Sequence, residues 1–222
     1  MASSRPLSTG LVSPIRTSRT ASDFWGLEPL AGRLVEISGH RASANLTVAF
    51  GLVLEAQEKD EPAAWVTLAR STFFPPDAAD SGVDLARLAV VRVQDGIAAC
   101  RAVVELTRSG GFGLVVLDLG PMAFSEPKRV TRRQEPTKKR AALSVPFITK
   151  LVGLAQRTAT AVVILTEKTR ESSSLNSLIS LRCEARRNPD KPCEVEIDVL
   201  KDKRRGPGGR YREVCRAPAG LR

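Results

Sequence analysis

Histidine is almost missing from this chain: His40 is the one histidine among 222 residues. A Ser-His-Asp or Cys-His triad would have to be built on it, in a glycine-flanked loop, so nucleophilic catalysis of that type is not expected. The four cysteines, Cys100, Cys183, Cys193 and Cys215, include no CxxC pair. That removes a zinc site of the usual spacing, and no metal is expected. Scattered this way, the cysteines read as small buried apolar residues kept reduced in a cytoplasmic protein. Aromatic residues make up 5% of the chain, and none lies between Phe124 and Phe147. No apolar run approaches the ~18–20 residues of a membrane-spanning helix, and no signal-peptide core is read at the N-terminus.

What is present in excess is positive charge. Thirty-four Lys and Arg oppose twenty-four Asp and Glu, a net charge of +10. Residues 1–33 carry four basic and two acidic groups, residues 34–120 seven and eleven, and residues 121–222 twenty-three and eleven. The balances are +2, −4 and +12, so the excess lies in the C-terminal half and raises the question of a polyanionic partner.

The first 22 residues hold six Ser, three Thr, three Arg, two Pro and no acid, the composition of a flexible basic tail. An organelle transit peptide has a similar composition. We read the tail as residues 1–24 and one core domain as residues 25–222. Within the core, strands are read at 33–38, 64–69, 88–93, 113–118 and 160–166. Helices are read at 43–58, from an Asp95 N-cap to Gly110-Gly111, and at 143–157. The continuous apolar run Gly113-Leu114-Val115-Val116-Leu117-Asp118 belongs to a parallel sheet buried on both faces. The last third reads as antiparallel strands at 178–186, 193–201 and 210–215, with Gly206-Pro207-Gly208-Gly209 as a turn. The fold class expected is α/β: a doubly wound, mostly parallel sheet flanked by helices, with antiparallel C-terminal edge strands.

A strand, a loop opened by glycine, a helix, and later an apolar strand ending in Asp118 is the layout of a P-loop nucleotide site. Against GxxxxGK[ST], Gly39 keeps the first glycine. The second glycine is Ala44, the lysine is Asn45 and the Mg²⁺-binding hydroxyl is Leu46. A Cβ at residue 44 crowds the backbone N–H groups that approach phosphate. Asn45 brings a dipole where a full charge balances phosphate, and Leu46 cannot ligate Mg²⁺. Thr47 is one residue out, about 100° around the helix. Arg41 offers charge from the loop, but not from the lysine's position. ATP hydrolysis is not expected, nor is a bound cofactor.

From Leu34 onward the chain resembles the ATPase core of RecA. The resemblance rests on Val35-Glu36-Ile37-Ser38-Gly39, Gly82-Val83-Asp84, Val115-Val116-Leu117-Asp118 and Val199-Leu200-Lys201-Asp202-Lys203, in that order over roughly 180 residues. The resemblance implies a catalytic glutamate after the strand around Trp65, where this chain has Leu68-Ala69-Arg70-Ser71. It places the family's glutamine after the fifth strand near Glu167, and shortens a second DNA-binding loop to about Thr169–Ser174. A short, inactivated core of this kind is what the ImuA-type proteins look like. Those are RecA-like accessory factors encoded with an ImuB-type polymerase homologue in bacterial damage-induced (SOS) mutagenesis and translesion synthesis. The implied role is cytoplasmic and nucleoid-associated: to bind RecA and the ImuB-type partner and restrain RecA, without catalysis.

Two basic features follow from this. Lys128, Arg129, Arg132, Arg133, Lys138, Lys139 and Arg140 lie where RecA carries its first DNA-binding loop. They suit phosphate neutralisation, contact with an acidic protein, or a solvated loop. The missing aromatics and the short second loop weaken single-stranded DNA as partner. Lys201 and Lys203 match a RecA Lys-x-Lys pair that reaches across the protomer interface to the neighbour's nucleotide. A trans-acting pair retained beside a lost cis site suggests docking on one end of an ATP-bound RecA filament. Arg204 and Arg205 read as solvated charge at a hairpin tip. Phe73-Phe74-Pro75-Pro76 reads as a loop folded over the core, and Trp25 as packing on the sheet.

Overall fold

A computed structural model describes residues 25–40, 43–69, 73–118, 120, 145–191 and 193–214. The tail read over residues 1–24 lies outside them, as do Arg41, Arg70, Ser71, Cys215 and the whole 128–140 run.

The chain order is α1 (Leu27–Leu30), β1 (Leu34–Gly39), α2 (Asn45–Glu58), β2 (Ala63–Leu68), α3 (Pro75–Asp80) and β3 (Leu88–Val93). Then follow α4 (Gly96–Ser109), β4 (Leu114–Asp118), α5 (Val145–Thr158), β5 (Ala161–Glu167), β6 (Leu181–Arg187), β7 (Glu194–Asp202) and β8 (Arg210–Val214). The strands form one sheet in the order β3-β2-β4-β5-β1-β6-β7-β8. β3 to β6 in that row run parallel, and β7 and β8 are antiparallel. The expected fold class is the observed one.

The apolar pattern explains the layering. β4 and most of β1 and β5 are buried because both sheet faces are covered, so these strands need no alternation. On one face, Val35, Ile37, Trp65, Val116 and Val163 pack with Val48, Phe50, Leu52 and Val53 of α2. On the other, Leu34, Val66, Val115, Leu117 and Ile164 pack with Val103 and Val104 of α4 and Leu151 and Leu154 of α5. Asp95 caps α4 by accepting from Ala98 N at 2.8 Å, and Gly110, at φ 69°, ends it in the left-handed conformation that only glycine adopts without cost.

Three local expectations need correction. Pro75-Pro76 does not make a plain loop: both prolines sit in the first turn of α3, where a missing N–H costs nothing. Phe73 does fold over the core, on Phe50 and Trp65 at ring separations of 6.1 and 5.1 Å, but Phe74 is exposed. Cys193 is exposed, unlike Cys100 and Cys183; it precedes β7 in a turn and has no sheet to pack on. Trp25 is buried and stacks on Tyr211 of β8.

Candidate functional site

The carboxyl ends of β1, β4 and β5 bring Gly39, Asn45 and Asp118 to one end of the sheet, as the P-loop layout requires. Ser43 and Ala44, just before α2, are held onto the sheet. Ser43 makes an isolated antiparallel bridge with Arg186, and Ala44 N donates to Ala185 O at 3.2 Å. The Asn45 side chain then spans the gap, its Nδ2 donating to Thr166 O at the end of β5 at 2.8 Å. A Cβ on Gly39 would meet the Ser43 side chain and lie 2.6 Å from Asn45 Oδ1. The Ser43 and Asn45 side chains therefore lie close against Gly39. Leu46 packs against the core, and Thr47, the displaced hydroxyl, accepts from Arg187 Nη2 at 3.0 Å.

Asp118 closes this end from β4. It is buried, and its Oδ1 accepts from Gly120 N at 3.0 Å. Burial pushes its carboxyl up, and contacts from Gly120 N, Trp65 and Thr67 pull it partly back. Thr67 is its register partner on β2. Yet Asp118 Oδ2, Thr67 Oγ1, Trp65 Nε1 and Asn45 Oδ1 are buried with no hydrogen-bond partner among the described residues. Mg²⁺ with a nucleotide, the group the P-loop layout implies, does not fit these residues. Ser43 and Asn45 lie against Gly39, and the helix start supplies neither a lysine nor a hydroxyl at the required positions.

Glu36, in the middle of β1, is a site residue whose role the sequence reading missed. It is fully buried, and Lys168 Nζ lies 3.1 Å from its Oε1. Thr166 Oγ1 donates to the same oxygen and Leu175 N to the other, at 3.1 and 2.9 Å. Arg182, also buried, donates to Ser172 O and Thr169 O. These two charged side chains pin residues 168–180 as a strap across the sheet face beside β6. The segment expected as a shortened loop at 169–174 is therefore bonded down along much of its length. The only sequence signal was an acid inside an apolar strand, and its partners lie 130 or more residues away.

Most of the C-terminal positive charge on the sheet is spoken for. Asp198 takes Arg170, Arg186 and Arg210 at 2.9, 2.6 and 2.7 Å. Burial opposes its ionisation, but the hydrogen bonds from Arg210 and Arg170 outweigh it and hold the carboxyl below the usual range. Arg212 bonds Glu196 at 3.0 Å.

Lys201 and Lys203 lie at the other end of the sheet. Asp202 between them pairs with Leu181, the first residue of β6, and binds the buried Arg33 at 2.6 Å. Lys201 is partly exposed and reaches Ser177 O at 3.1 Å. Burial and then the neighbouring Lys203 push its ammonium down. Lys203 is exposed in the turn after β7, beside exposed Arg204 and Arg205. The structure thus brings Gly39, Ala44, Asn45, Leu46 and Asp118 to one end of the strands and sets the lysines at the other. Lys128, Arg129, Arg132, Arg133, Lys138, Lys139 and Arg140 lie outside the described residues.

Comparison with known proteins agrees with this layout. The RecA N-terminal domain family model matches residues 21–176. Over 87 residues the chain is 38% identical to Protein RecA of Thermotoga petrophila, covering 39% of this chain and 24% of that protein. It is 37% identical to Protein RecA of Clostridium acetobutylicum, with 39% and 25% covered, and 34% identical to that of a Picosynechococcus species, again with 39% and 25% covered. These stretches span about a quarter of the length of the curated relatives. No helix long and apolar enough to cross a membrane occurs among the described residues. With the family model covering well over half of the sequence, this chain belongs to the RecA N-terminal domain family.

Proposed function

We propose that this protein is a non-catalytic, RecA-like accessory factor of bacterial DNA-damage tolerance, of the ImuA type. It binds RecA and an ImuB-type polymerase homologue and restrains RecA filament activity during translesion synthesis. The observation that carries this reading is the asymmetry between the two ends of the sheet. Ser43 and Asn45 lie against Gly39 in the chain's own phosphate loop, while Lys201 and Lys203 stand at the opposite end. In that arrangement the lysines are remote from the chain's own Gly39 and suited to a neighbour's nucleotide. A protomer of this kind caps a RecA filament, because it contacts RecA's ATP and offers no working site to the next subunit. The experiment is capture of RecA by this protein with and without a non-hydrolysable ATP analogue. Nucleotide-dependent capture that is lost in Lys201→Ala/Lys203→Ala supports the reading; equal capture in all cases refutes the interface.

A second reading, sequence-independent binding of single-stranded DNA, is favoured by the Lys128–Arg140 charge run. It requires binding of a labelled oligonucleotide that weakens steeply with salt. Absence of binding at ~50 mM salt eliminates it.

A further inference from the structure

The sheet end that carries Lys201 and Lys203 also carries a feature of the opposite charge. A cleft of about 460 Å³ opens beside the start of β4, among the ends of α1, α2, α4 and α5. Leu27 and Phe112 give it an apolar lining, and Glu28 and Glu61 stand exposed on its wall. A Cβ on Gly113 would lie 2.6 Å from Glu61 Oε2, so that carboxylate lies across the start of β4. The lysine on the wall, Lys59, is engaged by Glu55 at 3.0 Å, whereas Glu28 and Glu61 have no ion pair among the described residues. The carboxyl ends of α2, α4 and α5 add partial negative charge here.

The corner after β7 has the complementary charge. Lys203 and Arg204 are exposed there, and their side chains have no ion pair among the described residues. The backbone beneath them is firmly held. Lys203 N donates to Ser180 O at 2.9 Å, Arg204 N donates to Asp202 Oδ1 at 2.8 Å, and Asp202 binds the buried Arg33. β5, β1 and β6 separate β4 from β7 in the sheet. At about 4.8 Å per strand, cleft and corner are roughly 19 Å apart. Both fit within the ~800 Å² per partner of an ordinary protein interface.

We infer that this end of the sheet is a self-complementary surface on which a second copy of the chain docks. A two-fold axis near the start of β1, midway between β4 and β7, lays Lys203 and Arg204 of one copy on the Glu28 and Glu61 cleft of the other, and the reverse. The net charge of +10 opposes association of two copies in general. In this orientation each basic corner meets an acidic cleft, and the lysine and arginine stems cover Leu27 and Phe112. Exposed ion pairs contribute little singly and are screened by salt, so the dimer is weak and salt-sensitive. It also covers Lys201 and Lys203, so dimer formation and docking of those lysines on another protein's nucleotide exclude each other.

The inference stands without the RecA reading, and its test uses no RecA, so the two fail separately. Sedimentation velocity reads the oligomeric state of the full chain at about 0.1 mM protein, in about 50 mM and about 0.5 M salt. Two charge-reversed proteins are compared with it, Glu28→Arg/Glu61→Arg and Lys203→Glu/Arg204→Glu. All four side chains are exposed, so both variants should keep the fold. The expected result is a wild-type dimer at the lower salt that falls to monomer at the higher. Each reversed protein is monomeric alone, and their equimolar mixture restores the dimer. In that mixture the basic cleft of the first meets the acidic corner of the second, and the basic corner of the first meets the acidic cleft of the second. A misfolded variant could not give that rescue. A wild-type monomer in both salts, a dimer that ignores either reversal, or a mixture that stays monomeric would each overturn the inference.

Discussion

The two ends of the sheet are built from the same strands but follow opposite rules. At the end holding Gly39 and Asp118, polar groups are buried, and the Ser43 and Asn45 side chains lie against Gly39, with Asn45 bonding the end of β5. At the end holding Lys201 and Lys203, a buried ion pair, Arg33–Asp202, anchors a corner beside the partly exposed Lys201 and the exposed Lys203. Substitutions at the first end should therefore be felt as stability. Substitutions at the second should be felt as lost partner binding with the fold intact. The strap over residues 168–180 connects the two, running from β5 at the closed end to β6 at the lysine end.

The largest effect is expected where the strap is held. Glu36→Ala leaves the largely covered Lys168 without its carboxylate and Leu175 N without its acceptor, and should cost about 3 kcal/mol. Glu36→Leu/Lys168→Met should recover most of that loss, because well-packed apolar replacements avoid the desolvation of a buried pair. Chemical denaturation of both variants checks it; equal loss in single and double variants would show that the strap is held some other way.

Next comes Asp198. Asp198→Ala should cost about 1–2 kcal/mol, less than a fully buried pair because its three arginines are roughly half exposed. The sign with pH follows from its lowered carboxyl. Asp198 contributes stability above about pH 4, the ordinary unfolded value, and loses it as pH falls through the lower folded value. Asp118 acts in the opposite sense: burial raises its carboxyl, so its charge destabilises at neutral pH and is relieved on acidification. An acid-unfolding series should therefore show Asp198→Asn less sensitive to acid than wild type and Asp118→Asn more so.

Asn45→Ala, which removes the bond to Thr166 O, should cost about 1 kcal/mol without creating nucleotide binding, since Ser43 and Ala44 remain tied to β6. Smallest of all, Lys201→Ala/Lys203→Ala should change stability by no more than about 0.5 kcal/mol while abolishing nucleotide-dependent RecA capture. A large stability loss in that variant would erase the difference between the two ends.

The parallel strands β2, β4 and β5 were legible as apolar runs, the antiparallel β7 and β8 by their alternation around the Gly206–Gly209 turn, and the Asp95 and Gly110 signals gave α4 both its ends. The four-residue α1 and the proline-started α3 were not read, since neither is long enough to show a helical period. At the candidate site, the losses at Ala44, Asn45 and Leu46 could be read directly by comparison with the P-loop pattern. What occupies the space could not, because it depends on Asn45 meeting Thr166, 121 residues away. The same holds for charge. Composition counts Arg186, Arg210 and Arg212 toward a polyanionic partner, whereas the sheet register sets them against Glu184, Glu194, Glu196 and Asp198.

The central claim, that this chain's own phosphate site is closed, is tested most directly by calorimetric titration of the full-length protein with an ATP analogue and Mg²⁺. The account predicts no saturable binding up to ~1 mM, a free energy weaker than about −4 kcal/mol. Saturable binding that is abolished by Asp118→Asn would contradict it.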